Sequence, residues 1–224
     1  MSETETLDEV RMNRISVLGT GLVRMWRGWW VLLPAILANA VLQSVLVWLN
    51  PMPYLSFGFV ALSVTSLLLL LLAWCIVASA MLQATTGMVE MNVILKVIRT
   101  RWAPLLGWSL ALLAALVLGF SLAVVPGLLV SALFPFLLLA VVDGQSNPLA
   151  TNFRVIAVRW GRWLITIVFM GFGGLVLWLL SSLDGFFVTG ALGALAGWIV
   201  LGLAASWYTA AWAVVYRSVC PPQP

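Results

Sequence analysis

The sequence predicts an all-α membrane protein with six transmembrane helices and both termini in the cytoplasm. Of its 224 residues, 63% are hydrophobic and 8% are charged, whereas soluble domains carry about 25% charged residues. Six apolar stretches approach the length of about 20 residues that a helix needs to cross a bilayer. All 11 Lys and Arg residues lie at alternate ends of these stretches, and basic loops mark the cytoplasmic side.

The six spans are predicted near residues 29–49, 55–81, 102–125, 127–142, 163–182 and 187–215. Helices are expected because an isolated strand leaves its backbone polar groups unpaired in lipid. Pro34 and the Phe134-Pro135-Phe136 sequence predict helix breaks or kinks in the first and fourth spans. In the second external connection, Pro126 is predicted to end one helix and Gly127 to permit a tight reversal.

The cytoplasmic connections repeat a pattern, in which an amphipathic stretch and closely spaced Arg and Trp residues precede a new span. It occupies residues 16–33, 91–107 and 151–167. Arg side chains pair with lipid phosphates, and Trp rings lie at the headgroup level. We therefore predict three cytoplasmic interfacial helices in a pseudo-threefold repeat, the alternative being ordinary anchoring at each membrane crossing. The residues predicted to contact lipid or a partner are Arg24, Arg27, Trp29, Arg99, Arg101, Trp102, Arg159, Arg162 and Trp163.

The whole chain, residues 1–224, is predicted to form a single membrane domain. A polar N-terminal tail covers residues 1–14, and a short cytoplasmic tail covers residues 217–224. The N-terminus lacks the basic region and cleavage site of a signal peptide, so the first span is expected to be retained. The predicted location is the cytoplasmic membrane, which the protein crosses several times.

The residue types argue against catalysis. The chain contains no His, and it has no Ser-Lys pair or paired carboxylates, so we expect no catalytic residue, cofactor or metal. Cys75 and Cys220 lie in a span and in the tail, which argues against a disulfide. The basic residues are dispersed, which argues against nucleic-acid binding. Asp143 is predicted to cap the following helix or to pair with Arg154 or Arg159.

Two groups of residues inside the spans leave alternatives open. Asn39 and Gln43 share one helix face, where they would bond a neighbouring helix or line a polar cavity. Small residues recur at every fourth position of the third span and predict close helix packing within the chain or in a homo-oligomer. They are Gly107, Ala111, Ala115, Gly119 and Ala123.

Residues 123–163 resemble a group of six-span bacterial membrane proteins that includes the membrane domain attached to some glycerophosphodiester phosphodiesterases. The resemblance rests on Pro126-Gly127 between two spans, on Asp143 at the end of a span, and on Gly161-Arg162-Trp163 at the start of the next. Val125 stands where that group usually has Ile. The resemblance implies a six-span fold and no catalytic residue, because the phosphodiesterase domain is absent from the sequence.

These observations favour a non-enzymatic membrane protein with a scaffold, accessory or envelope-homeostasis role. Its basic cytoplasmic rim is expected to contact anionic lipid headgroups or a protein partner. The alternative is a transport component, either a permease subunit or a substrate-binding membrane subunit. A cavity that reaches Asn39 and Gln43 from outside would favour transport.

Overall fold

The computed structural model describes residues 16–48, 56–122, 124–187 and 190–222. All regular secondary structure in these ranges is helical, which confirms the predicted all-α class. In chain order the helices are α1 Ser16–Arg27, α2 Trp29–Trp48, α3 Phe57–Thr86, α4 Met91–Thr100, α5 Trp102–Leu122, α6 Val124–Leu133, α7 Leu137–Asp143, α8 Pro148–Val158, α9 Trp160–Phe187 and α10 Ala191–Arg217.

Several of the described helical segments are long and apolar enough to cross a membrane. Five single helical segments qualify. A sixth span results if α8 and the first half of α9, which are bent by 96° relative to each other, are counted together. The five are Trp29–Trp48, Val60–Thr86, Trp102–Gly119, Pro126–Asp143 and Ala191–Arg217. They support a membrane-embedded protein.

The proline residues act differently from one another. Pro34 lies inside α2, which continues without interruption to Trp48. The predicted break at residues 134–136 is present, because α6 ends at Leu133 and α7 begins at Leu137. Pro126 and Gly127 lie in the first turn of α6, so the helix boundary falls earlier than predicted. A proline is well tolerated in a first turn because its missing N–H has no intrahelical acceptor there.

The small-residue stripe of α5 makes a close backbone contact at one of its positions. A Cβ atom on Gly119 would lie 2.9 Å from the Cα atom of Gly127, so α5 and α6 approach closely there. At Gly107 the corresponding space is open. Ala123 lies outside the described residues.

Helix α10 occupies the centre of the bundle and packs against α1, α2, α3 and α9. Its last three turns are largely buried. A Cβ atom on Gly21 of α1 would lie 2.9 Å from the Ala211 nitrogen, so α1 is pressed against α10. The Trp207 Nε1 atom also donates a hydrogen bond to the Leu18 carbonyl at 2.9 Å.

The two ends of the bundle are packed to different degrees. At one end, the last turns of α3, α7 and α10 meet α1, α4 and α8 and form most of the buried core. We call this the basic end, since the described Lys and Arg residues lie there. The opposite, outer end comprises the first turns of α3 and α10 and the adjoining ends of α5 and α6. There Phe57, Leu122 and Leu192 are exposed.

Candidate functional site

Three junctions at the basic end share one local structure. In each, a single residue separates a short helix from a long one: Gly28 between α1 and α2, Arg101 between α4 and α5, and Arg159 between α8 and α9. The long helix then begins with an exposed tryptophan. Trp29, Trp102 and Trp160 have 53%, 63% and 65% of their surface exposed, respectively.

The third junction therefore differs from the sequence prediction. In the sequence, Arg159 and Arg162 have the same spacing as Arg24 and Arg27, and this match pairs Trp163 with Trp29 and Trp30. In the structure Trp160 takes that place, as the first residue of its helix. Trp163 lies one turn further on and is half-buried.

Each short helix buries a narrow stripe and leaves other apolar side chains exposed. α1 buries Val17 and Leu18, α4 buries Ile94, and α8 buries Val155. The exposed apolar side chains on the three helices are Leu22, Val23, Trp26, Val93, Leu95, Leu149, Phe153 and Val158. A helix with buried, apolar-exposed and basic faces suits the boundary between protein, acyl chains and headgroups.

Arg24 stabilises the end of a neighbouring helix. Its Nη1 atom donates a hydrogen bond to the Ala84 carbonyl in the last turn of α3, at 2.9 Å. A cation is favourable there because the last carbonyls of a helix carry partial negative charge. Partial burial, with a smaller contribution from Arg27, lowers the pKa of Arg24 below its ordinary value. Arg27 itself is exposed.

Arg101 has a similar internal role at the end of α7. Its Nη1 atom donates to the Val142 carbonyl, and its guanidinium lies against Gly144. Gly144 adopts a φ of +79°, a left-handed conformation that ends a helix and favours glycine. A side chain at this position would overlap the guanidinium of Arg101. Sequence reasoning had placed Arg101 among the lipid-contacting residues, but its Nη1 atom is engaged within the protein.

Asp143 lies at the centre of a polar cluster that joins α7 to α10. Its Oδ1 atom forms an ion pair with the Arg217 Nη2 atom at 2.8 Å. Its Oδ2 atom accepts hydrogen bonds from the Tyr216 hydroxyl at 2.9 Å and from Gln145 Nε2 at 3.0 Å. The C-terminal end of α10 is thereby fixed to the C-terminal end of α7.

The two partners predicted for Asp143 are therefore wrong. Its ion-pair partner is Arg217, whereas the Arg154 Nη2 atom contacts the Cys220 sulfur at 3.3 Å. The following helix, α8, is capped by Asn147, whose Oδ1 atom accepts from the Ala150 N–H at 3.1 Å. Asn is a favourable capping residue because its side-chain oxygen satisfies a free N–H of the first turn.

The break between α6 and α7 is closed by two side chains. Pro135 has no N–H, and the Phe136 N–H donates to the Asn152 Oδ1 atom at 3.0 Å. The carbonyls thus left without their helical donors are satisfied in turn: Asn152 Nδ2 donates to Leu133 O at 2.7 Å, and Trp163 Nε1 donates to Ala132 O at 2.9 Å. Asn152 is fully buried.

Sequence reasoning missed Asn152 and assigned Trp163 to the lipid interface. The available signal was a polar amide in an amphipathic segment, sixteen residues after Phe136. A buried polar side chain needs a partner, but the sequence does not indicate which backbone groups would be free to provide one.

Five basic side chains remain without a partner in the described part of the chain. They make no ion pair and have no hydrogen-bond acceptor: Arg27, Lys96, Arg99, Arg159 and Arg162. The Nε atom of Arg159 is in addition buried. Arg162 lies in the first turn of α9, where cations are unfavourable because the helix N-terminus carries partial positive charge, and Arg159 lies beside it at the junction of α8 and α9. An anion bound beside them would relieve this repulsion.

Asn39 and Gln43 form hydrogen bonds at the contact between α2 and α3. Gln43 Nε2 donates to Ser66 Oγ at 2.7 Å and to Asn39 Oδ1 at 3.5 Å. Neither residue lines the two cavities identified among the described residues. One is an open groove lined by Gly19, Thr20, Val23, Arg24 and Arg27. The other is an apolar cavity beside the break in α6–α7.

No protein-family model, curated protein sequence or solved structure matches the chain. The resemblance of residues 123–163 to the phosphodiesterase-associated membrane domains therefore stays a prediction. The candidate site rests on the geometry of the basic end.

Proposed function

We propose that the protein is a non-enzymatic component of the bacterial cytoplasmic membrane whose basic end binds anionic lipid headgroups. The observation that carries this proposal is the set of five cations at the basic end that have no partner among the described residues. Exposed Trp29, Trp102 and Trp160 lie at the same end. Cations attract anionic lipid at about 1 kcal/mol each near a membrane surface, and Trp rings favour the headgroup level.

The proposed orientation places the basic end and both termini in the cytoplasm, since basic residues concentrate on the cytoplasmic side of membrane proteins. We also propose a pseudo-threefold repeat of a short interfacial helix followed by a long span. The short helices contain 12, 10 and 11 residues. Each precedes an exposed Trp by one residue, and this regularity supports the repeat.

Within this proposal the basic residues have two different roles. Arg24 and Arg101 hydrogen-bond the carbonyls at the ends of α3 and α7 and hold the bundle together. The guanidinium groups without a partner among the described residues bind lipid phosphate, and they belong to Arg27, Arg99, Arg159 and Arg162. Lys96 adds a fifth charge. A scaffold or accessory role follows if the bound lipid or a protein partner is recruited to this surface.

A second candidate, a transport component, receives less support. Asn39 and Gln43 bond Ser66 and each other rather than lining either cavity in the described residues. We also keep, as a proposal, the relation to the six-span membrane domains that residues 123–163 resemble.

The proposal is tested by replacing Arg159 and Arg162 with Ala. The protein is reconstituted in bilayers of mixed anionic and zwitterionic phospholipid and extracted mildly. Native mass spectrometry then gives the ratio of the two lipids that stay bound. Loss of two cations at about 1 kcal/mol each lowers the preference for anionic lipid roughly 30-fold.

The matched control replaces the same two residues with Lys, which keeps both charges. This variant is expected to retain most of the preference, with a smaller loss because Lys lacks the bidentate geometry of Arg. A double Ala variant that folds normally and binds anionic lipid as strongly as the original protein would refute the proposed headgroup site.

A further inference from the structure

An apolar cavity of about 220 Å³ lies beside the break between α6 and α7. Its walls come from α3, α5, α6, α7, α9 and α10. Trp74, Phe134 and Trp212 provide aromatic surface, and Leu112, Leu139 and Met170 provide aliphatic surface. The break contributes to the cavity because Phe134 and Pro135, which interrupt the helix, both line it.

The depth of the cavity places it within the acyl chains of one leaflet. On α10 its lining runs from Ala205 to Trp212, and α10 ends at Arg217 in the basic end. With a rise of 1.5 Å per residue, these positions lie roughly 8 to 18 Å from Arg217. The hydrocarbon core of a bilayer is about 30 Å thick. With Arg217 at the boundary of the hydrocarbon core, most of the cavity therefore lies in the half of the core next to the basic end.

The cavity is also open to the side of the bundle. Ala205 at its edge is exposed, and Val130, Met170 and Thr209 are only partly buried. A molecule can therefore reach it from the surrounding lipid without passing through either end of the bundle.

The hydroxyl groups that line the cavity all donate hydrogen bonds to backbone carbonyls of the protein. Ser131 Oγ donates to Gly127 O at 3.0 Å, and Thr209 Oγ1 donates to Ala205 O at 2.7 Å. The Tyr208 hydroxyl donates to Phe169 O at 3.0 Å. These bonds satisfy the hydroxyls within the protein, so the remaining lining surface is mainly hydrocarbon and aromatic. This chemistry suits an alkyl chain better than a polar solute.

We propose that this cavity binds one acyl chain of a phospholipid from the leaflet that faces the basic end. Three observations together select this occupant: the position within the hydrocarbon core, the lateral opening and the apolar lining. An apolar cavity that opens into lipid is filled by the hydrocarbon around it. The aromatic walls and the hydrogen-bonded break make this position a defined site rather than part of the general lipid surface.

The test uses a zwitterionic phospholipid with a diazirine in the middle of one acyl chain. The purified full chain is reconstituted with this lipid and irradiated, and the modified peptides are mapped by mass spectrometry. We expect modification of lining residues such as Met170 and Trp212 to exceed several-fold that of exposed lipid-facing residues such as Leu118. An equal distribution over the two groups would overturn the proposal.

Two variants fill the cavity from different walls, Ala205→Phe from α10 and Ser131→Leu from α6. Each of them that folds, as judged by its thermal transition, should lose most of the modification at the lining. Ala111→Phe is the matched control, because Ala111 is exposed on α5 and does not line the cavity. Retained modification in a folded filled variant contradicts the proposal. The site is independent of the headgroup proposal, since Ala in place of Arg159 and Arg162 should leave this readout unchanged.

Discussion

The basic end and the outer end of the bundle use polar residues in opposite ways. At the basic end, Asp143, Asn152 and Arg101 are buried or half-buried, and each satisfies groups on another helix. Towards the outer end, Thr65 bonds a carbonyl of its own helix, and Gln43 bonds Ser66 across a single contact. These three polar side chains of the basic end thus connect several helices, whereas Thr65 and Gln43 towards the outer end connect at most two.

This difference has a physical reason. Helices α6, α8 and α9 are interrupted or sharply bent near the basic end, and an interrupted helix leaves backbone groups that must be satisfied in a medium without water. Side chains from neighbouring helices satisfy them, and this requirement produces the dense packing. Uninterrupted helices satisfy their own backbones, so α2 and the first half of α3 can leave many side chains exposed to lipid.

The largest expected effect is the loss of the buried ion pair. Asp143→Ala leaves Arg217 without its counter-charge and is expected to lower the free energy of unfolding by about 3–5 kcal/mol. Thermal or denaturant unfolding in mild detergent measures it. The double variant with Leu at positions 143 and 217 should recover much of the loss, because an apolar pair can replace a buried ion pair. A single variant as stable as the original would show that the cluster does not hold α7 to α10.

A smaller effect is expected at the break. Asn152→Ala removes both the acceptor for Phe136 N–H and the donor for Leu133 O. We expect a loss of about 2–6 kcal/mol, since each of the two unsatisfied buried groups costs about 1–3 kcal/mol. The same unfolding measurement applies.

The matched control for Asn152 is Gln43→Ala, which also removes an amide that makes two hydrogen bonds. Interhelical hydrogen bonds in membranes average about 0.6 kcal/mol, so this variant should lose only about 1 kcal/mol of stability. Equal destabilisation by the two substitutions would contradict the distinction between the two ends.

Sequence analysis predicted the helical class, most of the span positions and the short helices before the spans. These features follow from composition, length and charge, each of which acts locally. It did not predict that Asp143 pairs with Arg217. The two residues are 74 positions apart in the sequence, and their contact depends on how α7 packs against α10. It also did not identify Trp160 as the first residue of α9, since the residue at which a helix begins cannot be derived from Arg–Trp spacing alone.

The apolar cavity was likewise beyond sequence reasoning. Its lining comes from six helices, and none of its residues is unusual for a span. The Phe134-Pro135-Phe136 break was visible in the sequence. Its partner Asn152 was not, because a single Asn on an amphipathic helix has many possible environments.

The proposed lipid-binding surface requires the basic end to face the cytoplasm. Cysteine labelling with a membrane-impermeant maleimide tests it, in a background where the buried Cys75 and Cys220 are replaced by Ser. Met88 in the α3–α4 connection is 86% exposed, and Phe57 at the outer end is 90% exposed. Met88→Cys should label only in inverted vesicles and Phe57→Cys only in intact cells. Labelling of Met88→Cys from outside intact cells would contradict the proposed orientation and, with it, the cytoplasmic lipid-binding surface.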